Sequence, residues 1–280
     1  MKKNAIAVAV ALVLLGALGT AYAQRLASPP KMPDIVEGTD GWLFPGWDRL
    51  VEERPDEVRA GVEETVKQVK ELEKRGAKVV VVLVPNKTRV HADLLPQEWR
   101  KRIQGSKSFQ QLADELRAKG LNVVATWPTF YKPDAHWTAE SAEDAADKVA
   151  VQLQKYGVKP VNGGAHALGP WKIDMLYGDL VEFLRSKGDN RFAKSEFKVR
   201  SYTDPPKLPP TVIVLGNSFV NRFLGFPQKL SNALGVPVKD QLHQRATGPW
   251  TVMDDFLKSP DLPAKYIVWV IQETSFTAKR

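Results

Sequence analysis

Asp134-Ala135-His136-Trp137 puts a carboxylate two residues before an imidazole, a spacing at which one side chain can fix the tautomer of the other and stabilise it once protonated. Such a pair is a general base that lacks a nucleophile. The best candidate lies far downstream, where the apolar run Val212-Ile213-Val214-Leu215 ends in Gly216-Asn217-Ser218-Phe219. Serine is a weak nucleophile at neutral pH and needs a base within hydrogen-bond reach. Of the four histidines, His136 is the favoured one. Together Ser218, His136 and Asp134 suggest an acyl-transferring Ser-His-Asp array, with backbone N–H groups near Ser218 and the Asn217 side chain as oxyanion donors. Two quieter readings stand beside this one. Asn217 or Ser218 can simply cap a turn, and Asp134 and His136 can be a hydrogen-bonded loop pair. His91, His166 and His243 show no ligand spacing, so no metal is assigned and no cofactor is expected.

Three further residues lie where a substrate would sit. Lys87 and Arg89 follow the apolar run Lys78 to Val84 through Pro85-Asn86, on the same presumed edge, where they can hold an anionic or hydroxyl-rich ligand or form an ordinary solvated loop. Trp137 belongs to a set with Trp42, Trp47, Trp127, Trp171 and Trp250, all in loop-like stretches. Aromatics so placed either stack on sugar rings or anchor packing.

These residues need a scaffold that brings loops together, and the hydrophobic periodicity supplies one. Val58, Val62, Val66, Val69 and Leu72 recur at helical spacing ahead of Gly76, and Lys78 to Val84 then reads as a buried strand. The same grammar repeats with Phe109, Leu112 and Leu116 before Gly120 and a short strand at residues 122–125. After His136, Thr138 is a candidate N-cap for a helix that buries Ala142, Ala145, Val149 and Leu153. A polar, proline-containing stretch from Phe192 to Pro210 reads as a long surface connection. A strand at residues 211–215, a helix at residues 224–234 stopped by Gly235, and a last strand at residues 266–271 follow. Strand and helix alternation predicts an α/β fold with a mainly parallel sheet flanked by helices. In such sheets ligands bind beyond the carboxyl ends of the strands, which is where Ser218 falls.

The N-terminus reads as secretory. Met1-Lys2-Lys3, an apolar run from Ala5 to Leu18, and Ala21-Tyr22-Ala23 have the architecture of a signal peptide over residues 1–23, with an uncleaved inner-membrane anchor as the alternative. Residues 24–34, with Pro29, Pro30 and Pro33, read as a linker, and residues 35–280 as one domain. The chain has no cysteine, which excludes disulfides and thiolate chemistry. Forty basic and 32 acidic side chains give +8, and loss of Lys2 and Lys3 with the leader lowers this to +6. The charges are interspersed, so nucleic acid is not the expected partner.

Several short motifs occur in one order. Glu37-Gly38-Thr39-Asp40-Gly41-Trp42-Leu43-Phe44, Val84-Pro85-Asn86-Lys87-Thr88-Arg89, Asp134-Ala135-His136-Trp137-Thr138, Gly178-Asp179-Leu180 and Gly216-Asn217-Ser218-Phe219 together resemble the periplasmic alginate O-acetyltransferase family, whose domain is SGNH-hydrolase-like (flavodoxin-like). The resemblance spans most of residues 35–280. It implies Ser218 as nucleophile, His136 as base and Asp134 as its orienting partner, with acetyl passing through an acetyl-serine to a hydroxyl of alginate, cellulose or a similar exopolysaccharide. It also implies a periplasmic site, a membrane-bound O-acyltransferase as acetyl donor, and an exopolysaccharide secretion complex as surroundings. One segment departs from the pattern. Val270, Gln272 and Thr274 stand after Trp269 where the family carries glutamate, proline and arginine. A carbohydrate acetylesterase with the same three residues, or a non-catalytic glycan-binding component, are the competing functions.

Overall fold

Seven successive residues of the run Lys78–Val84 form a strand, because β-branched side chains fit a pleated surface covered on both faces. In the computed structural model, which describes residues 33–48, 55–103, 109–205, 207–242, 248–259 and 262–277, this strand lies within a five-stranded parallel sheet. The strands in chain order are β1 (Ile35–Glu37), β2 (Leu43–Pro45), β3 (Lys78–Val84), β4 (Val123–Ala125), β5 (Ala167–Leu176), β6 (Ser195–Thr203), β7 (Val212–Gly216), β8 (Val238–Leu242) and β9 (Tyr266–Gln272). The large sheet runs β4-β3-β9-β7-β8. Every pairing in it is parallel. The helices are α1 (Pro55–Lys74), α2 (Lys87–Val90), α3 (Gln97–Ile103), α4 (Phe109–Ala118), α5 (Ala139–Lys155), α6 (Asp179–Ser186), α7 (Phe226–Leu234) and α8 (Gly248–Leu257). The arrangement is an α/β fold, a mainly parallel sheet between two helical layers.

Alternation along β3 divides the core. Val80, Val82 and Val84 face the layer built by α5 and α7. Val79, Val81 and Leu83 face α1, α4 and α8. In α1, Pro55 fits the first turn, and Val58, Val62, Val69 and Leu72 are buried on one face, each stabilising by roughly 1.5–3 kcal/mol. Gly76, at φ +89°, then turns the chain into β3, a conformation an L side chain resists. The expected helix stop at Gly235 is likewise an αL C-cap, at φ 68°.

Two smaller sheets attach to this body. The β1–β2 hairpin pairs Ile35 with Pro45, and its turn needs Gly38, where a Cβ would lie 2.4 Å from the Leu94 carbonyl oxygen. The second is a ribbon of antiparallel β5 and β6. It corrects the reading of residues 192–210 as an irregular connection: Ser195–Thr203 is a strand. Phe197 and Val199 face inward from this ribbon, while Ile173 and Met175 on its other face are exposed. No described helix is long and apolar enough to cross a membrane. The expected leader, and His243, lie outside the described residues.

Candidate active site

The edge order of the sheet poses a mechanical problem for the site. Ser218 follows β7, whereas His136 lies on the loop after β4. Two strands, β3 and β9, separate β4 from β7, a distance of about 14 Å at ordinary strand spacing. The loop from Thr126 to Thr138 must cross the carboxyl ends of both, and each supplies a support.

The first support is Lys87, at the end of β3 and fully buried. Its Nζ donates to the carbonyls of Tyr131 at 2.7 Å, Lys132 at 2.9 Å and Asp134 at 2.8 Å. Its ammonium lies 5.1 Å from the Trp42 ring and 5.5 Å from the Phe44 ring. Burial pushes the Lys87 amine down to about 7, against the charges of Asp134, Asp179 and Asp48 that favour its protonated form. The Glu37–Phe44 segment and Lys87 therefore work together beneath the loop, and Leu43 N–H also donates to the Lys132 carbonyl at 3.2 Å. The second support follows β9. Glu273 grips Arg89 with Nε at 2.8 and 3.0 Å, and accepts from Asn86 N–H at 3.0 Å. Thr274 donates its hydroxyl to the Trp47 carbonyl at 2.9 Å. Thus the altered end of the last strand packs as framework, and Glu273, which it retains, fixes the Arg89 segment.

Lys87, Arg89 and Trp137, the residues expected to lie where a substrate would sit, all turn toward the protein's own groups. Lys87 has no exposed surface to offer one. The Arg89 side chain is only 12% exposed and is held by Glu273. Trp137 is fully buried, its indole N–H donates to the Phe219 carbonyl at 3.1 Å, and its ring stacks on Phe226. That bond ties the residue after His136 to the residue after Ser218, so Trp137 fastens the two halves of the site together.

On this frame Ser218, His136 and Asp134 form a hydrogen-bonded series. Asp134 Oδ1 lies 2.7 Å from His136 Nδ1, and His136 Nε2 lies 2.6 Å from Ser218 Oγ. With the proton on Nδ1 facing the carboxylate, Nε2 accepts from the serine hydroxyl. Burial alone would raise the Asp134 carboxyl. Hydrogen bonding and charge from His136, with the N–H groups of Asp179 and His136, outweigh it and hold the carboxyl below its ordinary value. Thr138, as predicted, caps α5 by accepting from Ser141 N–H.

At the Ser218 turn, the capping reading also finds its place. Asn217 Oδ1 accepts from Phe219 N–H at 3.1 Å, and the Asn217 carbonyl accepts from Val220 N–H at 3.0 Å. A 3-10 turn over Ser218–Val220 follows the strand instead of an α-helix. The Ser218 N–H has no partner among the described residues, so it and Asn217 Nδ2 are the donors this turn offers.

Sequence reasoning assigned no role to Asp179, the first residue of α6. Its Oδ1 accepts from Ala135 N–H at 2.7 Å, its own N–H donates to Asp134 Oδ2 at 2.8 Å, and its Oδ2 lies 3.6 Å from His136 Nδ1. The only signal in the chain was the Gly178-Asp179-Leu180 motif. Asp134, His136 and Asp179 also have ligand atoms within 4.8 Å of one another, a spacing that could take a cation. Here both ring nitrogens of His136 are engaged, by Asp134 and by Ser218.

A parallel sheet that presents a hydroxyl, an imidazole and a carboxylate in series beyond its strand ends defines a chain of the SGNH-hydrolase-like class. The chain belongs to the family described as SGNH hydrolase-like domain, acetyltransferase AlgX, whose model matches residues 35–274. It is similar to a probable alginate O-acetylase AlgJ of Pseudomonas putida, 27% identical over 176 residues, which cover 54% of this chain and 42% of that protein. The match thus spans about two-fifths of the relative's length. In fold it is similar to the O-acetyltransferase domain of Pseudomonas putida AlgJ, with a TM-score of 0.69 and 21% identity over 88% of this chain and 93% of that one. Pseudomonas aeruginosa AlgX superposes with a TM-score of 0.60 and 18% identity, over 85% and 62% of the two chains.

Proposed function

We propose that this chain is an O-acetyltransferase that moves acetyl groups onto hydroxyls of an exopolysaccharide, alginate or a similar chain, through an acetyl-serine at Ser218. The observation that carries the reading is the continuous series from Ser218 Oγ through His136 to Asp134, at 2.6 and 2.7 Å. Family membership supports it, as does the name of the related alginate O-acetylase.

In this reaction Ser218 Oγ attacks the carbonyl carbon of an acetyl donor while its proton passes to His136 Nε2. Asp134 stabilises the imidazolium so formed. The oxyanion takes hydrogen bonds from the Ser218 N–H and from Asn217 Nδ2. Collapse expels the donor's leaving group, which takes the proton from His136 and leaves an acetyl ester on Ser218. A sugar hydroxyl then gives its proton to His136 and attacks that ester. The products are an O-acetylated sugar and a serine that recovers its proton from His136. We place this chemistry in the periplasm. Acetyl would arrive through a membrane-bound O-acyltransferase, because acetyl-CoA is cytoplasmic, and the acceptor through a secretion complex.

The test is transfer itself. Mannuronate and cello-oligosaccharides, incubated with the protein and an activated acetyl ester, should gain acetyl groups detectable by mass spectrometry. With Ser218→Ala the gain should disappear while the fold, read by circular dichroism, persists. Acetylation undiminished in that variant contradicts the proposal, and release of free acetate alone would mark an esterase.

A further inference from the structure

Asp179 stands 43 residues from His136, 45 from Asp134 and 39 from Ser218 along the chain, yet it touches the Asp134–His136 turn three times. Its carboxylate holds the Ala135 amide, its amide holds the second oxygen of Asp134, and its other oxygen faces His136 Nδ1. The first two contacts make a reciprocal clamp. The third brings a second negative charge to the ring nitrogen that carries the proton.

The clamp is built into the chain on both sides. Gly178 precedes Asp179, and a Cβ there would lie 2.2 Å from the Pro133 carbonyl oxygen and 3.0 Å from the Asp134 Cβ. Only glycine lets the start of α6 come this close. Behind the helix start, Leu180 and Val181 are buried in a small cluster with Leu43 and Ala135, so α6 is seated against the same turn by apolar contacts. The N-terminal end of α6 also favours negative charge, which lets two carboxylates share the place.

We infer that Asp179 is a positioning residue of the site, which fixes the Asp134–His136 turn and, through its charge on the far side of Nδ1, raises the pH at which His136 gives up its proton. The inference rests on the reading of His136 as the base. Among the described residues, the titratable and charged groups around this imidazole include Asp134 on its own loop, Ser218 after β7, Asp179 on α6 and, against the Asp134 carbonyl below, the Lys87 ammonium. Of the two carboxylates, Asp134 gives the direct hydrogen bond. Asp179, at 3.6 Å with its side chain one-third exposed, gives a screened charge.

Asp179→Asn separates the clamp from the charge, since the amide oxygen still accepts from Ala135 N–H and the backbone donor is unchanged. Titrating the His136 ring protons by NMR in the full chain, with the resonance assigned by its loss in His136→Gln, reads the charge without any activity. The midpoint should fall by about one pH unit in Asp179→Asn. The acid limb of acetyl-ester hydrolysis should move by the same amount, with kcat lower by about 3- to 30-fold. A merely structural Asp179 would lower activity without moving the midpoint, and a midpoint unchanged between parent and Asp179→Asn overturns the inference. Should that variant fail to fold, Asp179→Ser keeps a short acceptor at the helix start and gives the same reading. If the midpoint shifts while neither protein acquires acetyl on Ser218, the positioning role stands and the acetyl-transfer reading alone fails.

Discussion

Lys87 illustrates how far a residue's role depends on which way it points. A lysine just past a central strand is placed to greet an anionic substrate, yet here its ammonium saturates three loop carbonyls inside the protein. The ammonium has three donors, and all three are used within the fold. Lys87→Met should therefore leave three carbonyls without their common donor. We expect a loss of about 2–4 kcal/mol in denaturant unfolding, with acetyl-ester hydrolysis reduced at least about tenfold as the His136 loop loosens. Stability and rate both within error of the parent would show that the clamp is idle. Arg89 and Trp137 also donate inward, Arg89 to Glu273 and Trp137 to the Phe219 carbonyl. Residue types near a strand edge are legible in a sequence; burial of their polar ends is not.

At the scale of elements, strands and helices with strong patterns read cleanly. The all-apolar β3 and β9, and the stops at Gly76 and Gly235, appear in the structure within a residue or two of expectation. What escaped was the ribbon of β5 and β6. Its strands are half exposed, carry Gly169 and Pro170 at a register shift, and so lack the continuous apolar signal of the parallel sheet. The approach of α6 to the His136 turn was equally hidden. Asp134 and His136 advertise each other by spacing, whereas Asp179 arrives through tertiary packing of Leu180 and Val181. Gly178 is the element's point of contact, and its φ of −73° is open to any residue. Gly178→Ala thus tests space alone: the added Cβ should push the helix start from the Pro133 carbonyl and cut hydrolysis at least about tenfold. Parental activity in that variant would mean that α6 can shift without disturbing His136.

For the whole molecule, the framework under the site carries its own pH dependence. Asp48 is fully buried, accepts from the Thr88 N–H and hydroxyl at 3.2 and 3.0 Å, and has its Oδ1 unpartnered. Burial raises its carboxyl from 3.8 to about 7, with Thr88 opposing and Glu273 adding to the rise. A carboxyl raised on folding contributes stability that is whole below its unfolded value and is lost as pH climbs through the folded one. That contribution should decline from about pH 4 and be gone above about pH 7. Asp48→Asn removes the titration and leaves Lys87 in place. Its stability relative to the parent should improve by about 2–4 kcal/mol between pH 4 and pH 8, and urea melts giving a constant difference across that range would contradict the assignment.

The same framework explains the shape of the motif set. Segments at Gly38–Phe44, Asn86–Arg89 and Gly178–Leu180 contribute no atom to the Ser218–His136–Asp134 series, yet each braces the loop that spans β3 and β9. The series could be guessed from residue types and order. The bracing could not, since it depends on which strand lies between which.

The central claim is a covalent one, and mass spectrometry of the protein reads it most directly. After brief exposure to an activated acetyl ester and acid quench, peptide mapping should place a single acetyl group on Ser218. The label should be absent in Ser218→Ala, strongly reduced in His136→Ala, and discharged when oligosaccharide acceptor is added before the quench. An unlabelled Ser218 under conditions where acetyl ester is consumed, or a label that forms equally well without His136, would contradict the account.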